Sequence, residues 1–120
     1  MAAQGGDNSA IYPWTGNELR NSKGLLMCNL KRENKDTLGI AGKLNENADI
    51  ITPVISYWPN KFGIYNMSGN VSEMLDVKEI IKGGSWMNDA SFLRIDSKNN
   101  YDGSPKTFVG FRYFVEIIEK

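Results

Sequence analysis

A 120-residue chain with 14 basic and 14 acidic residues carries no global field to concentrate a phosphate backbone or an anionic membrane surface, which argues against nucleic acid as a partner. It has no histidine and one cysteine, Cys28, so an internal disulfide, a Cys-only metal site and any Ser-His or Cys-His dyad are excluded within it. Its length suits one domain burying roughly two-thirds of its unfolded surface, and no apolar run approaches the roughly 18 residues of a membrane span.

Glycines and asparagines alternate with short β-branched or aromatic segments, and no window sustains a helical period, so the pattern predicts an irregular, β-rich α+β fold without internal repeats. In chain order, residues 17 to 21 are a weak helix candidate. KRENKDTLGIAGKLNENAD, 31 to 49, is a surface loop whose opening charges of both signs read as a solvated stretch. ADIITPVISYW, 48 to 58, is an extended segment interrupted by Pro53, and FGIYNM, 62 to 67, is a short strand leading into a turn at Gly69-Asn70. In EIIKGGSWM, 79 to 87, Ile80 and Ile81 run into Gly83-Gly84, a pair that predicts a bulge or a close backbone contact ahead of Trp86. A second weak helix candidate surrounds Met87 to Leu93, and DSKNNYDGSPK, 96 to 106, is the other surface loop. TFVGFRYFVEII, 107 to 118, alternates well enough to be a central strand.

The run NKFGIYNMSGNVSEM, 60 to 74, is the most informative. Asn66, Gly69, Val71 and Glu73 stand at i, i+3, i+5 and i+7, combining two side-chain oxygens with positions whose carbonyls can turn inward, a donor set that suits a hard cation such as calcium. The competing reading is a tight turn in which Gly69 or Asn70 supplies a positive φ and Glu73 faces water. Cys28, in GLLMCNL, reads as a packed thiol rather than a nucleophile. Trp14, Trp58 and Trp86 read as core, with a sugar platform as the alternative. SWMNDA invites comparison with the Trp-Asn-Asp calcium motif of animal lectins, but Met87 interrupts it and no site is carried over. Asp89 and Asp96 have no spacing that fixes them as a glycosidase pair.

YPWTGNELRNSKG (12 to 24), CNL (28 to 30), TPVISYWPNKFGIYNMSGNVSEM (52 to 74), KGGSWM (82 to 87) and VGFRYF (109 to 114) together resemble the formylglycine-generating enzyme family, also called the sulfatase-modifying-factor family. The finer pattern, with Tyr-Pro-Trp-x-Gly, Arg-Asn-x-Lys-Gly and Asn-Val-Ser-Glu-Met, is similar to the non-catalytic lipoprotein branch linked to gliding motility and type IX secretion. The resemblance implies a C-type-lectin-like fold, calcium, and a cell-envelope location. It also implies that these residues are the C-terminal half of the family domain, since AAQGG resembles the residues just after a Leu-Pro-Thr-Glu-Ala-Glu-Trp-Glu helix. It assigns one calcium to Asn66, Glu73 and the carbonyls of Gly69 and Val71. It assigns a second to Asn29, the carbonyl of Leu30, Glu46 and the carbonyl of Ala48, with Asp49 as a competing ligand.

The same resemblance marks two departures. The copper-binding cysteine pair of the family's oxidases falls on Asn88 and Leu93, neither of which can be a thiolate, and the iron-binding histidines of its sulfoxide synthases are missing. No copper, iron or nucleotide is therefore expected. The expectation is a non-catalytic, calcium-stabilised binding or structural domain that meets a protein or glycan through loops 31 to 49 and 96 to 106. Two rivals come from other classes: an oxidase completed by an N-terminal half or second chain, and a ligand-display protein of a diversity-generating retroelement, varied between Trp86 and Gly110.

Overall fold

The computed structural model describes residues 1–31 and 51–119. Among these, regular structure is confined to four short strands and one turn of 3-10 helix. The strands are β1 (Ser72–Met74), β2 (Ile80–Lys82), β3 (Asn99–Asn100) and β4 (Val109–Gly110). They form one mixed sheet in the order β3-β2-β1-β4. β1 pairs antiparallel with β2, Glu73 lying opposite Lys82, and β2 pairs antiparallel with β3, Ile81 lying opposite Asn99. β4 joins the far edge parallel to β1, with Glu73 beside Gly110. The result is a small β-rich unit of irregular α+β character.

Strands of two or three residues bury little, and the main core lies outside the sheet. Tyr12, Trp14, Leu26, Cys28, Leu30, Tyr57 and Leu93 form it, all from loops except Leu93 of the 3-10 helix. Tyr12 and Trp14 stack nearly parallel with ring centroids 4.8 Å apart, and the Trp14 indole donates to the Glu18 carbonyl at 2.9 Å. Trp58 packs on the rim, edge-on to Tyr57. Cys28 is buried, and burial pushes its thiol well above its ordinary range. Trp14, Trp58 and Cys28 thus serve packing.

Loops can carry a core only if their backbone groups are bonded, and here asparagine side chains take the place of strand ladders. Asn21 Oδ1 accepts from the amides of Lys23 and Leu25, and Asn60 Oδ1 from those of Phe62 and Ile64. This local bonding closes residues 60–64 into a turn on Asn60, and residues 62 to 67 do not form the expected strand. Residues 17 to 21 are likewise not helical, because Arg20 makes an isolated bridge to Leu26 across the turn at Asn21.

The segment around Met87 to Leu93 does contain the 3-10 turn Ala90–Leu93, capped by Asp89 through the Ser91 amide. The Gly83-Gly84 pair sits against other chain segments as expected. A Cβ on Gly84 would stand 2.9 Å from Leu93 Cδ2 and 3.0 Å from the Phe92 carbonyl oxygen. The 96 to 106 stretch is not wholly loop, since it contributes β3. Residues 107 to 118 do not make a central strand: only Val109–Gly110 pairs, at the sheet edge, and residues 111–119 run on without regular structure. No described strand lies on the other side of β4, so among the described residues the alternation has no strand to pair with. The predicted loop 31 to 49 lies outside the described residues beyond exposed Lys31, as do residues 48 to 50 of the extended segment; residues 51 to 58 form no strand.

Candidate functional site

The stretch from Asn66 to Glu73 folds as three left-handed residues leading into β1. Asn66, Gly69 and Asn70 have φ of 50°, 78° and 67°. Gly69 is obligatory on space as well as conformation, because a Cβ there would lie 2.4 Å from the Asn29 carbonyl oxygen. Its amide donates to the Gly83 carbonyl at 2.8 Å, which fastens the turn to the start of the Gly-Gly-Ser-Trp segment.

Asn70 is the hub. Its amide donates to the Asn29 carbonyl and its own carbonyl accepts from the Trp86 amide. Its side-chain Oδ1 accepts from the Thr52 amide at 2.8 Å, the Thr52 hydroxyl at 3.2 Å and Asn29 Nδ2 at 3.3 Å, while Nδ2 donates to the Thr52 carbonyl at 3.0 Å. Asn29, Thr52 and Asn70 are all buried, so these bonds form away from water, where each is strongest and its loss most costly.

Asn66 is used asymmetrically. Its Nδ2 donates to the carbonyls of Val54 at 2.9 Å and Pro53 at 3.4 Å, but Oδ1 is buried and accepts nothing from the described residues. Glu73, half-buried in β1, meets the guanidinium of Arg112, which follows β4. Arg112 Nε lies 2.9 and 3.0 Å from the two carboxylate oxygens, and Nη2 donates to Oε1 as well. Nη1 donates to the Tyr65 carbonyl and Nη2 to that of Asn66, each at 3.0 Å. One arginine therefore clamps both ends of the loop. Asn66, Gly69, Val71 and Glu73 share an open cleft of about 640 Å³ with Val54 and Tyr113.

The structure thus places the four expected ligands of the first calcium on one cleft. Their chemistry suits a hard cation: an unpartnered buried amide oxygen, two residues whose carbonyls are candidates, and a carboxylate. Among the described residues no three His, Cys, Asp or Glu side chains gather, so such a site relies on neutral oxygens. The carboxylate is moreover already balanced by Arg112. For the second set, Asn29 is buried in the hub and Leu30 in the core, while Glu46, Ala48 and Asp49 lie outside the described residues. The two copper-cysteine positions are built differently: Asn88 Oδ1 accepts from the Ser85 amide and hydroxyl at 2.9 and 2.8 Å, and Leu93 is wholly buried.

Sequence reasoning missed two of these residues. Arg112 is the lone charge in the apolar run FVGFRYFV, and an arginine among apolar neighbours needs a carboxylate, so the signal was there. Asn70 is legible from the sequence only as a turn residue.

A loop-built β-rich domain with a Gly69-Asn70 turn, its flanks held by one arginine, is the class that this fold and site define. A family model described as the sulfatase-modifying factor enzyme 1-like domain matches residues 1–117, and the chain belongs to that family. It is similar to the formylglycine-generating enzyme of Thermomonospora curvata, 38% identical over 73 residues, which is 61% of this chain and 22% of that protein. The matched stretch is thus under a quarter of that relative's length.

Proposed function

We propose that the chain is a non-catalytic, calcium-stabilised binding or structural domain with a C-type-lectin-like fold, of the gliding-motility-like branch of its family and located in the cell envelope. The observation that carries the non-catalytic part is the fate of the copper-cysteine positions. Leu93 fills the core beneath Gly84 and Asn88 spends its side-chain oxygen on Ser85, so both places serve packing and turn closure. The orphan Oδ1 of Asn66 supports the calcium part. Asn66, Glu73 and the carbonyls of Gly69 and Val71 would hold the ion, which would supply a fixed positive centre to bind loop oxygens together. Asn29 and Leu30 are candidates for a second ion.

The test is turnover of a cysteine-containing sulfatase peptide by the chain with copper supplied, followed by mass spectrometry. The expected result is an unchanged thiol mass. Loss of that mass above the protein-free background overturns the non-catalytic reading.

A further inference from the structure

The loop between β3 and β4 holds the only Asp-Gly step of the chain, Asp102-Gly103, and the sequence has no Asn-Gly step. Such a step is chemically weak, because glycine puts no side chain in the way of its own amide nitrogen, which can attack the carboxyl carbon of the preceding aspartate. The attack consumes the neutral acid. The Gly103 nitrogen bonds to Asp102 Cγ, one Cγ–O bond breaks, and that oxygen leaves as water with the carboxyl proton and the amide proton. A second water opens the resulting imide at either carbonyl, giving back aspartate or giving isoaspartate, in which the backbone runs through the side-chain carbon. Gly103 offers no steric defence: at its φ of 76° a Cβ would meet nothing within 4 Å.

The defence lies on the carboxylate. Asp102 Oδ1 accepts from the Ser104 amide at 2.9 Å and hydroxyl at 2.7 Å, and Oδ2 accepts from Lys106 Nζ at 3.0 Å. The Tyr101 hydroxyl donates to the Ser104 carbonyl at 2.9 Å, and the Tyr101 amide donates to the Glu79 carbonyl at 2.8 Å, which fastens the turn to the residue ahead of β2. Asp7 and Asp89 head turns of the same kind, each bonded by the amide and hydroxyl of the serine two residues on. They are followed by Asn8 and Ala90, whose side chains hinder the attack. Lys61 Nζ stands 4.0 Å from Asp7, and Asp89 makes no ion pair among the described residues. The turn that carries the glycine is thus the one with a lysine hydrogen-bonded to its second carboxylate oxygen.

We propose that Asp102-Gly103 is a guarded modification site, at which Ser104 and Lys106 hold back isoaspartate formation, so that loss of either hold lets it proceed. Both carboxylate oxygens already serve as acceptors, and the one that leaves needs protons of its own. The same bonds, those of Ser104 first and that of Lys106 after them, keep the Asp102 carboxyl well below the usual carboxylate range. The reactive neutral acid is then about tenfold scarcer at neutral pH for every pH unit by which its titration is displaced. All the groups of this hold lie within residues 101–106, so it is local. It protects the join between two strands: isoaspartate adds one backbone carbon between β3 and β4, and β4 meets β1 in a parallel pairing that sets Val109 beside Ser72.

The folded chain and the chain in denaturant are aged at neutral pH, and isoaspartate is counted by enzymatic methyl transfer and by separation of the peptide that contains residue 102. The folded wild type is expected to accumulate it at least about tenfold more slowly than the denatured chain. Lys106→Met and Ser104→Ala are each expected to accelerate it several-fold in the folded chain, and Lys106→Arg, which keeps a cation for Oδ2, is expected to retain the slow rate. Near-ultraviolet dichroism of the Tyr12 and Trp14 stack checks that each variant is folded. Equal rates in the folded and denatured wild type overturn the proposal. So does a folded double variant, Lys106→Met with Ser104→Ala, that is no faster than the wild type, or a Lys106→Met variant slower than it, which would make the lysine a proton donor to the leaving oxygen.

Discussion

Glu73 and Arg112 give calcium binding a signature that a simple turn does not have. An ion that binds only the folded chain stabilises it by mass action, about 2.7 kcal/mol at a free concentration near 100 times the dissociation constant. For a domain of this length that raises the melting temperature by about 10 °C. Glu73→Gln removes the carboxylate of a half-buried pair with several charge-assisted bonds. It should cost about 2 kcal/mol, or about 8 °C, without any calcium. Stability alone therefore does not report on the ion, and the informative quantity is the difference between melts in calcium and in chelator. Glu73→Gln should abolish that difference. Arg112→Met should also lower the chelator melt, but it frees the carboxylate from its counter-charge, so the calcium increment should grow. Asp102→Asn, in an exposed turn where Ser104 already bonds the carboxylate, should leave the increment alone. Magnesium should replace calcium poorly, because a site rich in carbonyls with irregular angles suits the larger ion. Equal melts in calcium and chelator for the folded wild type, or increments that shrink together in Glu73→Gln and Arg112→Met, refute the reasoning.

Gly69→Ala forces a Cβ to within 2.4 Å of a backbone oxygen at a positive φ and should cost about 3 kcal/mol, whereas Gly16→Ala, at φ 91° in open space, should cost about 1 kcal/mol; chemical denaturation of both variants checks the contrast. Cys28→Ser should cost about 1 to 2 kcal/mol by placing a hydroxyl in the apolar core. Because burial raises the folded thiol's pKa, its contribution is fully present below the unfolded value of about 8.5 and is lost progressively as pH rises above it. Denaturation between pH 7 and 10 should therefore show a decline in the wild type that Cys28→Ser lacks.

Parts of this arrangement were legible because one residue type decides them. The Ile80-Ile81 run ending in two glycines marks a close backbone contact, and Gly83 and Gly84 make it just after β2. The family motif groups Asn66, Gly69, Val71 and Glu73 from sequence alone, and they do share a cleft. Alternation misled where a side chain intervenes. FGIYNM has the pattern of a strand, but Asn60 collects the amides of Phe62 and Ile64 and bends its first residues into a turn. In TFVGFRYFVEII the alternation is real, yet a strand exists only where a neighbour lies alongside, and β1 reaches no further than Gly110. The Arg112 clamp joins positions 39 and more residues apart, a distance over which local patterning carries no information.

The hub at Asn70 also bears on how the chain reaches its fold. Its side chain bonds Thr52 and Asn29 across separations of 18 and 41 residues, and its backbone bonds Trp86 further along. None of those turns gains the bonds of the hub until the others arrive, so little structure accumulates from local contacts alone. Loop-closure entropy must be met before the reward, the condition under which folding is slow and contact order high. Once assembled, the same dependence means that loosening any one of the segments around Asn29, Thr52 or Trp86 releases the rest together, and opening is expected as a single cooperative event and not as fraying from one loop.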